Sequence, residues 1–139
     1  MAYGFGIIGC GTISDFHARA IADVRGAKLV ACTSRSPAAA QRLAKSTGCT
    51  PYNSLDKLLA DDRVNIVTIA TPSGAHLKPA VAAAQAGKHV IVEKPLATSA
   101  EDLERITEAV SRAGMMPSQV PGAWLAPSLR LRFTRSVSG

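Results

Sequence analysis

The sequence predicts an α/β protein built on a doubly wound parallel sheet, and three observations support this. Short apolar segments of strand length alternate with longer amphipathic or alanine-rich segments of helix length. The apolar segments are continuous, which is typical of strands that helices bury on both faces. A glycine-rich turn joins the first apolar segment to the first helical one. We therefore expect a single domain over residues 1–115, followed by an irregular tail over residues 116–139.

The first half of this domain is predicted from apolar runs and from the residues that end them. Gly48 is placed to end the second helix, and Ser54 to cap a short third helix that reaches Leu59. The predicted elements are strands over residues 3–9 and 28–33 and helices over residues 13–24, 37–47 and 54–59.

The second half repeats the alternation. Gly87 follows the fourth predicted helix, and Ser99 with Asp102 forms a capping box for the fifth. The apolar residues of that last helix recur with the helical period. The predicted elements are strands over residues 65–70 and 89–92 and helices over residues 75–86 and 99–113.

The character of the sequence changes after Gly114. Residues 115–139 contain the only tryptophan and no acidic residue, and they show neither the strand nor the helix period. We expect one edge strand at most, over residues 116–120, and disordered chain beyond it.

The charge of the chain does not favour nucleic-acid binding. The formal net charge is +6 at pH 7, but Arg130, Arg132 and Arg135 supply half of that excess from a segment without acids. Elsewhere basic and acidic residues alternate along helical segments, which is typical of solvated faces. No nucleic-acid partner is therefore expected.

Membrane and metal sites are not expected either. The apolar segments are far shorter than the ~20 residues that span a bilayer. The N-terminus lacks the basic start and long apolar segment of a secretory signal, so we expect a cytoplasmic protein. Cys10, Cys32 and Cys49 are an odd number without metal-ligand spacing, and we expect them to be buried thiols.

The turn after the first strand is of the kind that holds nucleotide phosphates. In a G-x-G-x-x-G fingerprint, the first glycine makes the turn, the second lets the backbone approach a pyrophosphate, and the third allows close packing. Gly9 and Gly11 hold the first two positions, and the small Ser14 replaces the third. Thr12 and Ile13 open the helix, whose free N–H groups and positive dipole end attract phosphate. The turn predicts a dinucleotide site on a Rossmann fold.

The end of the second strand indicates which dinucleotide binds. An NAD site usually places a carboxylate about 20 residues beyond the glycines, where it holds the ribose hydroxyls, whereas a nearby arginine suits a 2′-phosphate. Here Ser34 and Arg35 occupy that region, and no acid is present. Ser34 can donate to a phosphate oxygen and Arg35 can pair with its charge. We therefore expect NADP as the cofactor, with NAD as the other possibility.

Two further motifs resemble the N-terminal domain of the Gfo/Idh/MocA oxidoreductases over residues 3–114. They are Ala70-Thr71-Pro72-Ser73-Gly74-Ala75-His76 after the fourth strand and Val92-Glu93-Lys94-Pro95-Leu96 after the fifth. Both follow the glycine turn in the order found in that family. The combination is much more specific than any one of the three motifs.

The resemblance implies roles for individual residues. Thr71, Pro72 and Ser73 match a loop beside the cofactor ribose and nicotinamide, and His76 matches a histidine at the start of the fourth helix, with a ligand or a packing role. Glu93, Lys94 and Pro95 match the motif after the fifth strand. Lys94 is the candidate catalytic residue, since it matches the lysine that contacts the nicotinamide ribose and the substrate hydroxyl. His17, in the first helix, is expected to be structural.

The resemblance implies hydride transfer between a nicotinamide cofactor and a sugar, polyol or dihydrodiol hydroxyl. The family's second domain, which forms the substrate pocket, is expected to be absent from this chain. A natural stop, an engineered end or a shifted reading frame would each produce that result. A small-molecule substrate is then expected only where a second domain is supplied, and the exposed face could be covered in a homo-oligomer.

Two other functions remain open at the level of sequence. The chain could be a non-catalytic module that binds NADP. It could also be an S-adenosylmethionine-dependent methyltransferase, because those enzymes share the glycine turn. A methyltransferase would need an acid near Ser34 for the ribose hydroxyls, and it would leave Glu93, Lys94 and Pro95 without a role.

Overall fold

The computed structural model describes residues 2–93 and 97–113, together with the backbone of residues 117–120. Its strands are β1 (Tyr3–Ile8), β2 (Ala27–Thr33), β3 (Thr50–Tyr52), β4 (Ile66–Ile69), β5 (His89–Glu93) and β6 (Pro117–Val120). Its α-helices are α1 (Thr12–Asp23), α2 (Pro37–Thr47), α3 (Leu55–Leu59), α4 (Leu77–Gln85) and α5 (Ala100–Arg112), with a 3₁₀ turn at Ser73–Ala75.

The strands form one parallel sheet in the order β3-β2-β1-β4-β5-β6. The chain moves outward from β1 to β3, then returns to the centre and continues outward from β4. The strand order therefore reverses between β1 and β4, and ligands of such sheets bind beyond the carboxyl ends of the strands at this point. The predicted fold class is confirmed.

Helices cover the sheet on both faces, and each face has its own apolar core. One core joins β1 and β2 to α1 and α2 through residues such as Ile7, Leu29 and Leu43. The other joins the central strands to α3, α4 and α5 through residues such as Val67 and Ile106. Burial on both faces explains why the strands read as continuous apolar runs.

Serine caps hold three helices in place, and those at Ser54 and Ser99 were predicted. The Ser36 hydroxyl accepts a hydrogen bond from the Ala39 N–H, Ser54 accepts one from Lys57, and Ser99 accepts one from Asp102. Gly48 ends α2 with a φ of 78°, in the left-handed region where glycine is favoured. The alanine-rich segment and Gly48 had predicted a helix over residues 37–47, and α2 has these bounds.

Two elements differ from the sequence prediction. Strand β3 was not predicted, because it has only three half-buried residues and contains Pro51. It lies at the sheet edge beside β2, where a proline is tolerated. The helix predicted over residues 75–86 begins later, because a 3₁₀ turn at Ser73–Ala75 precedes α4.

No helix in the described part of the chain combines the length and apolar character needed to cross a membrane. Within residues 2–93 and 97–113, no group of three or more His, Cys, Asp or Glu side chains is arranged to hold a metal ion.

Candidate functional site

The turn after β1 brings the main chain of Gly9 against the end of β4. Gly9 has a φ of +94°, which favours glycine. A Cβ at Gly9 would lie 2.8 Å from both the Ala70 carbonyl carbon and the Thr71 nitrogen. The Gly9 N–H donates to the Thr33 carbonyl at 2.9 Å, which ties the turn to the end of β2 as well. Gly9 is therefore required by its conformation and by its neighbours.

Gly11, in contrast, faces open space. It precedes α1 without a side-chain cap, and a Cβ there would meet no atom within 4 Å. Ser14 is fully buried, and its hydroxyl donates to the Gly11 carbonyl at 2.5 Å. A serine in place of the third glycine is thus accommodated inside the turn. The backbone at Gly11, Thr12 and Ile13 opens the helix toward this space.

Arg42 of α2 stabilises the glycine turn that follows β1. Its guanidinium donates to the Cys10 carbonyl at 3.2 Å and to Asp15 Oδ1 at 2.9 Å. These contacts join α2, α1 and the turn through one side chain. The sequence gives no local sign of this contact, because Arg42 lies 32 residues from Cys10.

The three thiols lie beneath the same turn. Cys10, Cys32 and Cys49 are free and buried, and the Cys10 Sγ lies 3.5 Å from the Thr33 carbonyl oxygen. Hydrogen bonds with Cys10 and Cys49, together with burial, raise the pKa of the Cys32 thiol far above its usual value. Cys32 is therefore a neutral core residue.

A cleft of about 510 Å³ opens beyond the carboxyl ends of β1 and β2. It brings together Gly9, Ser34, Arg35 and Thr71, which the sequence analysis had selected from three separate segments. Its other lining residues are Ile8, Thr33, Asn53, Leu55, Ala75, Lys78 and Pro79. Apolar walls and polar rims thus meet in one concave surface.

The rim of this cleft is cationic. Arg35 and Lys78 are both exposed, and Ser34 is half-buried, with its hydroxyl accepting from the Ser36 N–H at 3.3 Å. No carboxylate is found among the lining residues in the part of the chain that the structure describes. Such a rim favours a group with negative charge.

Asn53 and Lys78 were not selected by sequence reasoning. Asn53 follows β3, the strand that the sequence did not predict, and Lys78 lies in the first turn of α4. Neither belongs to a local motif, and only the tertiary fold places them beside Arg35.

The loop after β4 is held from below by His76. Its Nε2 donates to the Thr71 carbonyl at 2.9 Å, and only 1% of the residue is exposed. The Thr71 hydroxyl donates to the Ala75 carbonyl at 3.0 Å, and the Ala75 N–H donates to the Pro72 carbonyl at 2.8 Å. Pro72 itself is exposed. His76 thus lies beneath the loop rather than on the lining of the cleft.

Glu93, the last residue of β5, is bound to α1 through His17. The Glu93 carboxylate contacts His17 Nε2, and His17 Nδ1 lies 3.0 Å from the Thr68 hydroxyl of β4. An ionised carboxylate only accepts hydrogen bonds, so Nε2 is the donor to Glu93. Sequence reasoning expected a structural role for His17 but gave it no partners.

The structure therefore brings only part of the predicted site into one cavity. Pro72, His76 and Glu93 lie at the same end of the sheet but do not line the cleft. Ser73 begins the 3₁₀ turn after β4. Lys94 and Pro95 lie outside the described residues.

Comparison with known proteins identifies the family. The Gfo/Idh/MocA family model, described as "Oxidoreductase family, NAD-binding Rossmann fold", matches residues 3–120. The chain belongs to the Gfo/Idh/MocA oxidoreductase family, and the resemblance found in its motifs is confirmed. Its fold is the NAD-binding Rossmann fold of that family, which favours an oxidoreductase over the methyltransferase alternative.

Sequence relatives include inositol 2-dehydrogenases. The inositol 2-dehydrogenase of Rhizobium meliloti is 34% identical over 111 residues, which cover 80% of this chain and 33% of the relative. The inositol 2-dehydrogenase of Salmonella typhimurium is 37% identical over 120 residues, with 83% and 35% covered. The chain thus spans about a third of the length of these relatives.

Similar solved structures contain either nicotinamide cofactor. The WlbA dehydrogenase of Bordetella pertussis, in complex with NADH and UDP-GlcNAcA, has a TM-score of 0.80 at 40% identity, covering 86% of this chain and 35% of its own. KijD10, a 3-ketoreductase of Actinomadura kijaniata in complex with NADP and TDP-benzene, has a TM-score of 0.81 at 29% identity, covering 86% and 37%. These structures support a nicotinamide cofactor without distinguishing between the two.

Proposed function

We propose that this chain is the NADP-binding domain of an oxidoreductase that transfers hydride between the cofactor and a hydroxyl of a sugar or polyol. The observation that carries the proposal is the cationic cleft beside the glycine turn. Ser34 and Arg35 line it together with Gly9, and no acid is present among its described lining residues. An arginine at this place suits the 2′-phosphate, whereas an NAD site would present a carboxylate to the ribose.

The residues of the turn fit a dinucleotide. The absence of a side chain at Gly11 leaves open space over the start of α1. A pyrophosphate in that space would accept hydrogen bonds from the first N–H groups of the helix, at Thr12 and Ile13. The tight contact of Gly9 with Ala70 holds the turn at the carboxyl ends of β1 and β4, close to where phosphate is expected.

The adenosine end fits the cleft. Ile8, Leu55 and Pro79 offer apolar contact for a flat ring. Ser34 would donate to the 2′-phosphate and Arg35 would pair with its charge, with Lys78 as a second cation on the same rim.

The nicotinamide end is proposed to lie along the loops after β4 and β5. Thr71, Pro72 and Ser73 would contact the ribose and nicotinamide, and His76 would hold their loop in position through the Thr71 carbonyl. When bound, the nicotinamide supplies the hydride acceptor or donor. Lys94 would take the substrate hydroxyl proton on its Nζ, and Glu93 and Pro95 would set the course of the chain on either side of it.

Substrate selection belongs to residues beyond this domain. The relatives named above are about three times as long as the part that this chain matches. Oxidation of an inositol, or of a sugar, is therefore a property that we assign only to an enzyme completed by a second domain.

Ligand titration tests the proposal. The purified chain is titrated with NADPH, NADH and S-adenosylmethionine, with nicotinamide fluorescence and calorimetry as readouts. We expect NADPH to bind most tightly and S-adenosylmethionine not to bind. Equal affinity for NADPH and NADH would refute the NADP preference, and binding of S-adenosylmethionine alone would refute the oxidoreductase assignment.

A further inference from the structure

We infer that His17 is a positioning residue for the nicotinamide end of the cofactor, acting by fixing the end of β5 against α1. The inference rests on the proposed function. It assigns to His17 a task beyond stabilising its own helix, because His17 connects the helix that begins at the phosphate turn to the strand that leads into Lys94.

His17 projects from α1 toward two neighbouring strands and uses both ring nitrogens. Nδ1 lies 3.0 Å from the Thr68 hydroxyl on β4, and Nε2 contacts the Glu93 carboxylate at the end of β5. The His17 and Glu93 side chains are only 12% and 17% exposed. A side chain with a single polar atom could not bridge these two groups.

Thr68 is 1% exposed and lies in the middle of the sheet, in register with Ile7 of β1 and Ile91 of β5. Its hydroxyl is therefore held by a fixed backbone, and its hydrogen bond orients the imidazole ring. The oriented ring then presents Nε2 to Glu93 in one direction only.

Glu93 ends β5, and Lys94 is the next residue in the chain. A half-buried carboxylate without a donor is costly, so the His17 contact favours one position for this end of the strand. That position sets where the chain enters the segment that carries the proposed proton-accepting lysine.

Attachment of α1 to the sheet does not require the two polar contacts of His17. Elsewhere α1 is attached to the sheet by apolar contacts of Ala18 and Ile21. The polar contacts of His17 fix the orientation of its ring and add no apolar burial. We therefore expect removal of His17 to affect the nicotinamide end and to spare the adenosine end, which contacts the cleft at Ser34 and Arg35.

Fragment binding separates the two ends. The full chain, as wild type and as His17→Ala, is titrated with NADPH and with adenosine 2′,5′-bisphosphate, which contains the adenosine end alone. We expect His17→Ala to weaken NADPH by roughly tenfold, an indirect effect that reaches the nicotinamide end through Glu93. Affinity for the bisphosphate should change by less than about twofold.

Conservative variants test the direction of the contact. In His17→Gln, the side-chain amide can take the place of Nε2 and donate to Glu93, so NADPH affinity should recover in part. In His17→Asn, the amide reaches only the Nδ1 position, and no recovery is expected. Arg19→Ala serves as the control, since Arg19 is an exposed residue of the same helix and should leave both ligands unchanged.

The outcomes are distinct. Equal weakening of both ligands by His17→Ala, or no change in either, would overturn the inference and leave the proposed function intact. Should His17→Ala fail to fold, Glu93→Ala decides by the same comparison, because it removes the acceptor of the Nε2 hydrogen bond and leaves His17 in place. A wild-type chain that binds neither ligand would overturn the proposed function, and the inference with it.

Discussion

Gly9 and Ala70 approach each other so closely that no β-carbon fits between them. A Cβ at Gly9 would lie 2.8 Å from the carbonyl carbon of Ala70. The contact joins the first turn of the chain to the end of β4, on the two sides of the point where the strand order reverses. The glycine turn and the loop that begins at Thr71 are therefore held together at the carboxyl ends of β1 and β4.

Replacement of Gly9 should damage the fold itself. In Gly9→Ala the new methyl group would both strain a positive φ and push against β4, at a combined cost of about 2 to 5 kcal/mol. Urea denaturation should show a correspondingly lower midpoint. A variant as stable as the wild type would show that the turn can move away from Ala70 at no cost.

Replacement of Gly11 should instead damage binding. A methyl group there meets open space and costs at most about 1 kcal/mol as a poorer helix cap. It would, however, enter the space proposed for the pyrophosphate. We expect Gly11→Ala to keep a near-normal denaturation midpoint and to weaken NADPH by at least roughly tenfold. Unchanged NADPH affinity would mean that the cofactor does not pass over Gly11.

Cofactor preference should depend on Arg35. Loss of a charge-assisted hydrogen bond costs about 1.5 to 3 kcal/mol, so Arg35→Ala should weaken NADP by roughly tenfold or more and leave NAD nearly unchanged. Lys45→Ala is the matched control, because it removes an exposed positive charge from the last turn of α2, away from the cleft. Comparable losses in both variants would point to a general charge effect rather than recognition of the 2′-phosphate.

Stability in acid should depend on Asp61. The Arg63 side chain donates to this carboxylate from Nε at 3.0 Å and from Nη2 at 2.6 Å, and the Tyr52 hydroxyl donates at 2.9 Å. The hydrogen bonds from Arg63 hold the pKa of Asp61 well below its usual range. A lowered pKa in the folded state contributes stability above the unfolded value of about 3.9, and that stability is lost as the pH falls below it.

Asp61→Asn should therefore lower the denaturation midpoint at pH 7, and the difference from the wild type should shrink by pH 3. Asp56→Asn, at an exposed position on α3, is the control and should show no such trend. A difference of constant size across this pH range would mean that the contribution of Asp61 does not depend on its charge.

The chain by itself should bind cofactor without turning over substrate. Positioning of the substrate carbon against the nicotinamide can account for ~7 to 11 kcal/mol of a barrier, and the residues that would hold the substrate are proposed to lie in a second domain. Incubation with NADP and a panel of sugars and polyols should yield no NADPH. Turnover that disappears in Lys94→Ala would show that this chain completes a working site.

The sequence predicted those features whose signals are local. Gly48 marks the end of α2, Ser54 and Ser99 cap α3 and α5, and the continuous apolar runs mark strands buried on both faces. The glycine turn, Ser34 with Arg35 and the loop at Thr71 were found because each forms a short motif at the end of a strand. The parallel fold then places four of these residues around one cleft: Gly9, Ser34, Arg35 and Thr71.

The features that escaped prediction arise from distant segments. Strand β3 exists because β2 supplies its hydrogen bonds, and Lys78 joins the cleft because α4 begins there. His17 contacts Glu93, which lies 76 residues further along the chain, only in the folded protein. No local pattern of spacing or polarity reports such contacts.

The position of β1 between β2 and β4 also constrains the order in which the chain can fold during synthesis. Gly4 donates to the Asn65 side chain across 61 residues, and β1 pairs with β4 from Phe5 onward. Closing so long a loop costs chain entropy, so we expect this pairing to form after the local β1 to α2 contacts. A nascent chain that has not yet released β4 from the ribosome lacks one wall of the Gly9 turn, and cofactor capture must wait for the second half of the domain to emerge.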